Sequence, residues 1–148
     1  MYRLEGVRKR YGSKTVLRID RLVIEKGRLY TLTGPNGAGK TTLLSILAFL
    51  SPPTEGDVFY AGRRVDWDRD PLREWRRKVT LLHQSPYLFG GTVYANVAFG
   101  LAARGIGGDG QRRIVGDALD AVGLPGFAER RARELSGGEA QRVAMARA

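Results

Sequence analysis

Three stretches of the 148-residue chain combine residue types and spacings that can do chemistry. The first reads Gly34-Pro35-Asn36-Gly37-Ala38-Gly39-Lys40-Thr41-Thr42. From Gly34 to Thr41 it fits the phosphate-binding pattern G-x-x-x-x-G-K-[ST]. Gly34, Gly37 and Gly39 permit backbone angles closed to other residues, so successive amides can turn inward on a polyphosphate. Lys40 adds a point charge for β- and γ-phosphates, and Thr41 offers a hydroxyl to Mg²⁺. An ordinary Gly-rich turn does not require Lys-Thr after the third glycine. The second stretch is Leu135-Ser136-Gly137-Gly138-Glu139. Ser136 and Glu139 have the S-x-x-E spacing of a capping box at a helix start. Two glycines and a serine at a helix N-terminus also present free amides and a hydroxyl to an anion. The residues alone leave both readings open.

The third stretch is His83-Gln84, after the apolar run Val79–Leu82. The Gln84 amide oxygen could ligate Mg²⁺ or orient a water. His83, the one histidine, reads more simply as a partly buried residue ending a strand. Tyr11 lies upstream of the glycine-rich loop. It either stacks its ring on a flat base or closes the sheet edge.

These residues need elements to hold them. Residues 1–30 read as antiparallel strands, with Tyr2, Leu4 and Gly6 alternating with Arg3, Glu5 and Val7, and with Val16–Ile24 β-branched and apolar. Gly12-Ser13 and Lys26-Gly27 punctuate them. Arg28–Thr33 reads as a strand entering the loop, and Thr41–Leu50 as a buried helix leaving it, which puts phosphates at a helix N-terminus. Ser51-Pro52-Pro53 stops that helix. Gly56–Tyr60 is a strand, Ala61-Gly62 a turn and Pro71–Lys78 a short basic helix. Val79–Leu82 reads as a buried parallel strand that delivers Gln84 to its carboxyl end, where open α/β sheets place ligands. Thr92–Arg104 is a helix with Val93, Val97, Ala98, Phe99 and Leu101 as its apolar stripe. Gly105–Gly110 is a loop. Gln111–Val122 is amphipathic, with Ile114, Val115, Ala118, Leu119 and Val122 on one face, and Gly123 ends it. Ala140–Ala148 has helical character.

Composition sets bounds. The chain is 43% hydrophobic and 27% charged, as in globular domains, and its length suits one domain. Without cysteine it has no disulfide framework, thiolate nucleophile or Cys-based metal site. Its longest apolar stretch, Leu43–Leu50, is far short of a membrane span, and Met1–Gly6 lacks a signal-peptide core. Net charge is +10, with nine Lys or Arg against three acidic residues in positions 1–30. These charges are dispersed along alternating strands, and no RNA-binding aromatic signature or zinc finger accompanies them. No direct nucleic-acid partner is expected, and the basic residues read as a solvated surface.

Taken together, the motifs resemble the nucleotide-binding subunit of an ATP-binding cassette (ABC) transporter over the whole chain. Gly34–Thr42 matches the Walker A loop, Leu135–Glu139 the signature with Glu in place of the commoner Gln, Gln84 the Q-loop glutamine, and Tyr11 the aromatic that stacks on adenine. The resemblance implies an α/β fold of the P-loop NTPase, ABC ATPase type. Residues 1–33 would form an antiparallel β subdomain leading to the loop, 34–84 the P-loop core, and 85–148 a helical subdomain. It implies ATP and Mg²⁺ as cofactors, with Thr41 and Gln84 on the metal and Gln84 as the catalytic-site residue. It implies a head-to-tail dimer in which Ser136, Gly137 and Gly138 touch the γ-phosphate held by a second nucleotide-binding subunit. Residues Gln84–Gly100 would contact transmembrane permease subunits at the cytoplasmic face of the membrane. Gln84–Phe89 and Thr92–Leu101 look like the coupling region of small-solute importers, similar to subunits for oxyanions such as tungstate, molybdate or phosphate. The family's next elements, an apolar strand ending in Asp-Glu (Walker B) and a switch histidine, do not occur among the 148 residues. The expectation is the N-terminal portion of such a domain, with an incomplete central sheet and a partly unburied Thr41–Leu50 helix. Two alternatives are a soluble ABC ATPase acting on ribosomes or DNA, and a nucleotide-binding remnant that does not hydrolyse.

Overall fold

Alternating apolar and charged side chains over the first two dozen residues dictate a half-buried antiparallel sheet. The computed structural model describes residues 1–68 and 71–148 and contains that sheet. The described residues form two compact units, Met1–Leu81 and Leu82–Ala148.

In the first unit, Tyr2–Tyr11 (β1) and Lys14–Ile24 (β2) pair antiparallel across the two-residue turn Gly12-Ser13. Gly12 has φ +58°, the sign that a tight hairpin of this twist needs at its first turn position. Glu55–Tyr60 (β3) pairs with the other side of β1, and Arg63–Arg64 (β4) returns along β3, giving the order β2-β1-β3-β4. The β1–β3 register slips between Glu5 and Arg8. There a Cβ on Gly56 would lie 2.3 Å from the Gly6 carbonyl oxygen, so the backbones meet closer than a side chain allows. This bulge corrects one expectation. Strict alternation put Val7 with Arg3 and Glu5, but the slip changes the phase, and Val7 is buried beside Leu4. The exposed charges are interleaved: Arg8 and Arg10 share the Glu55 carboxylate at 3.7 and 3.0 Å, Arg3 pairs with Glu5, and Arg64 with Asp57.

Lys40–Leu47 (α1) lays Leu43 and Ile46 on Leu4, Val7 and Val58. It closes with a Schellman motif: Phe49 N donates to Ile46 O (3.0 Å) and Leu50 N to Ser45 O (2.9 Å). The left-handed position is Phe49 (φ +58°) where glycine is usual. That backbone costs on the order of 1 kcal/mol. The fully buried ring offsets it by packing on Tyr2, Tyr60, Trp67 and Trp75. Pro71–Arg76 (α2) adds Leu72 and Trp75 to the same core.

Two expected strands are absent. Arg28–Thr33 and Val79–Leu82 pair with no strand among the described residues, and Leu29 is 97% exposed. An apolar run becomes a buried parallel strand only where neighbours take up its N–H and C=O groups, and the four-stranded sheet described above does not reach these segments. Leu44 of α1 is exposed.

The second unit is three helices around Val93, Val97, Ala98, Val115, Leu119, Leu124 and Val143. Val93–Ala102 (α3) starts at Thr92, whose hydroxyl accepts from Ala95 N. Gly108–Ala121 (α4) begins earlier than expected: half of the Gly105–Gly110 stretch is helical, since tertiary burial of Val115 and Leu119 outweighs the low propensity of Gly108 and Gly110. Gly123 (φ +70°) ends it. Gly137–Arg147 (α5) follows a single 3₁₀ turn at Ala132–Glu134. Phe99, expected in the α3 stripe, is 58% exposed and stacks on Phe89 instead, at 4.8 Å between centroids.

Candidate nucleotide-binding site

The glycine-rich loop leaves the sheet side of the first unit and turns into α1 through Gly39. Gly39 has φ +84°, and a Cβ there would lie 2.5 Å from the Val16 carbonyl oxygen and 3.3 Å from the Leu17 side chain. Only glycine lets the loop sit this close to β2. Gly37 (φ +81°) and Gly34 (φ +147°) shape the rest, and residues 34–38 are exposed. Gly39 is the N-cap of α1 and has no side chain to occupy the helix's first amides, so these remain for an anion. Lys40 Nζ donates to Gly34 O and Pro35 O, both at 2.7 Å. Its ammonium is thereby folded over the mouth of the loop, where a polyphosphate would replace the two carbonyls. Thr41 is exposed and Thr42 half-buried, and the Thr41 carbonyl accepts from Ser45 Oγ at 2.8 Å.

Tyr11 stands at the hairpin end of β1, paired with Lys14, two residues before the Val16 that the loop touches. Its ring is 58% exposed, with Lys9 Nζ 5.3 Å from the centroid. Among the described residues it packs into neither core cluster. That leaves the ring available for stacking.

In the second unit, Ser136 is the N-cap of α5, and both halves of the capping box form. Ser136 N donates to Glu139 Oε2 (2.7 Å), and Glu139 N donates to Ser136 Oγ (3.3 Å). The Ser136 backbone N–H, with the Ser136 hydroxyl beside it, holds the Glu139 carboxyl below the usual carboxylate range. Arg130, stacked 3.8 Å over Phe127, stands 3.9 Å from the same carboxylate. The capping reading and the anion reading coexist. The box consumes the Glu139 amide, while Gly137 and Gly138 lie exposed in the first turn, where no intrahelical acceptor exists.

Gln84 and His83 are both exposed, so His83 is not a buried strand end. The Gln84 carbonyl accepts from Gln141 Nε2 of α5 at 2.9 Å. Thus Gln84 and the signature stretch share one unit and are tied together, while Tyr11 and Gly34–Thr42 share the other.

Two residues escape a reading by motif. Asn96 is fully buried inside the α3 stripe. Its Oδ1 accepts from Phe89 N (2.7 Å), and its Nδ2 donates to Phe89 O (3.0 Å) and Thr92 O (2.9 Å). The sequence signal was there: an amide between Val93 and Val97, on an otherwise apolar face. Gln141 had no such signal.

The loop fits a nucleotide polyphosphate in its cradle, its charge and its free amides. The donor set also says how Mg²⁺ would be held. Among the described residues no group of three or more His, Asp or Glu side chains can hold a metal. Thr41, at the start of α1, offers one neutral hydroxyl oxygen to such an ion.

Comparison with known proteins agrees with this geometry. Residues 17–148 match the family model described as ABC transporter. The chain is 43% identical over 147 residues to the spermidine/putrescine import ATP-binding protein PotA of Rubrobacter xylanophilus, covering 99% of the chain and 38% of that protein. It is 37% identical over 145 residues to the tungstate uptake system ATP-binding protein TupC of Peptoclostridium acidaminophilum, covering 98% of the chain and 64% of that protein. The chain therefore spans less than two thirds of either relative. A solved dimeric ATP-binding cassette, in a post-hydrolysis state with ADP and Pi bound, superposes with TM-score 0.87 at 32% identity, covering 99% of the chain and 68% of that structure. With the phosphate loop, the capped signature helix and these similarities together, the chain belongs to the ABC transporter family and has the fold of its ATPase cassettes.

Proposed function

We propose that this chain is the nucleotide-binding part of an ABC importer subunit, which binds ATP with Mg²⁺ and works as a pair on the cytoplasmic face of a membrane. The observation that carries this is the Gly34–Thr42 loop, with Lys40 poised over its mouth and Gly39 seated on β2. In this reading Lys40 exchanges two carbonyl acceptors for phosphate oxygens, and the amides at the start of α1 take up the remaining phosphate charge. Pro35, Asn36 and Ala38 contribute backbone groups to the same cradle. Tyr11 stacks on the base. Thr41 and Gln84 hold the ion that screens the phosphate charge when nucleotide is bound.

The signature stretch serves the partner. Ser136, Gly137 and Gly138 would face the terminal phosphate bound by a second nucleotide-binding subunit across a two-fold axis, with Glu139 keeping the helix start in shape. The dimeric cassette that superposes on the chain supports this reading. Residues 1–148 would act as one ATP-binding domain, with 1–33 leading to the loop, 34–84 as the P-loop core and 85–148 as the helical part. Transmembrane permease subunits would dock on Gln84–Gly100, where Tyr87, Phe89 and Phe99 are exposed together. No helix among the described residues is long and apolar enough to cross a membrane. An oxyanion such as tungstate is a solute that the TupC similarity supports. The polyamine named for PotA shows that relatives of this chain serve unlike solutes. That points to solute choice by other subunits.

The test is titration calorimetry with ATP and Mg²⁺. Charge-assisted contacts are worth roughly 1.5–3 kcal/mol each, so Lys40→Ala should weaken binding at least about tenfold. Equal affinity of the two proteins would defeat the reading.

A further inference from the structure

The link between Gln141 and Gln84 has a use beyond packing. We propose that Gln141 is a positioning residue for Gln84, fixing the Gln84 main chain to α5 so that Gln84 and the Ser136–Glu139 end of that helix are presented by one body. The proposal rests on the nucleotide reading above.

Four observations carry it. Gln141 Nε2 reaches the Gln84 carbonyl at 2.9 Å across 57 residues of sequence. The bond goes to the backbone, and among the described residues the Gln84 side-chain amide makes no hydrogen bond, so the segment is anchored while its functional group stays uncommitted. The far end of the segment is anchored too. Asn96 brackets both backbone groups of Phe89 from α3, and the Arg147 guanidinium of α5 lies 5.3 Å over the Phe89 ring. Between these anchors Ser85 and Tyr87 are exposed. Without Gln141 the segment would be held at one end only. Gln84 would then sample many positions, and each productive encounter with the ion would first require ordering it.

Three variants of the whole chain test this: Gln141→Leu, which removes the donor; Gln141→Lys, which supplies a donor of similar reach; and Gln84→Ala. The first readout needs no ligand. The backbone ¹⁵N order parameters of Gln84 and Ser85 should fall in Gln141→Leu from about 0.85 towards about 0.6, with α3, α5 and the melting temperature near wild type. The second readout is the Mg²⁺ half-saturation of ATP binding. It should rise about three- to tenfold in Gln141→Leu, the range of one ordinary hydrogen bond, and in Gln84→Ala by at least as much, while ATP affinity in EDTA stays constant. Gln141→Lys should restore both readouts. Unchanged order parameters at Gln84 and Ser85 in Gln141→Leu overturn the proposal. So does a raised Mg²⁺ requirement in Gln84→Ala that Gln141→Leu does not share. A different pattern marks failure of the underlying reading: if Gln84→Ala and wild type share one Mg²⁺ dependence, Gln84 does not hold the ion, and the positioning role falls with it.

Discussion

Gly39 and Gly37 both have positive φ in the same loop, yet their surroundings differ. A Cβ on Gly37 meets nothing within 4 Å, whereas one on Gly39 runs into the Val16 carbonyl. Gly37→Ala should therefore cost only the backbone term, about 1 kcal/mol. Gly39→Ala should cost that and a displacement of α1 from β2, about 2–4 kcal/mol in all, with lower nucleotide affinity. Urea denaturation of the two variants checks the contrast, and equal losses would show that the loop does not rest on β2. The positive-φ glycines of the loop were legible in the sequence, because that local geometry is written in a contiguous stretch. Asn96 and Gln141 were not, because what each holds is a backbone group whose approach depends on tertiary packing. Val7 was misplaced for a related reason: the bulge that turns it inward lies where Gly6 (φ +58°) meets Gly56 of another strand, and that register is set by pairing with distant chain.

At the level of elements, helices were read well, since their hydrogen bonds close locally and their apolar faces repeat every three to four residues. Strands β1, β2 and β3 were also read well, being joined by short turns or marked by clear alternation. Arg28–Thr33 and Val79–Leu82 were not strands, because a parallel strand takes its partners from distant chain. The loop between Gln84 and Thr92 is a third kind of element. It has almost no regular structure, and the Asn96 side chain substitutes for a ladder by bonding both backbone groups of Phe89. Replacing Asn96 by Leu keeps the bulk and strands those groups. The expected loss is about 2–4 kcal/mol, with faster exchange at Phe89. Thermal denaturation checks it, and a loss under about 0.5 kcal/mol would show that the loop holds itself.

For the molecule as a whole, the basic composition does not amount to a basic stripe on the sheet, where Glu55, Asp57 and Glu5 interleave with Arg3, Arg8, Arg10 and Arg64. The more telling surface is aromatic. Tyr87 is 75% exposed and contacts Phe89, which contacts Phe99. Exposure on this scale says that Tyr87 contributes little to the helical core. In a complete transporter, Tyr87→Ala should lower transport and permease-stimulated ATPase while nucleotide affinity and melting temperature stay near wild type. A stability loss of about 3 kcal/mol or more, as for a buried aromatic, would assign the ring to the core instead. The free side of β2 carries a further consequence. Among the described residues it is an eleven-residue edge, and an unpaired edge of that length invites a second chain to add a strand. Along it Lys14, Arg18 and Arg21 outnumber Asp20, which pairs with Arg18 at 3.4 Å, so two copies meeting there in antiparallel fashion would bring net positive charge against net positive charge. The sheet thereby guards its own border in dilute salt, and that guard weakens as ionic strength shortens the reach of the charges.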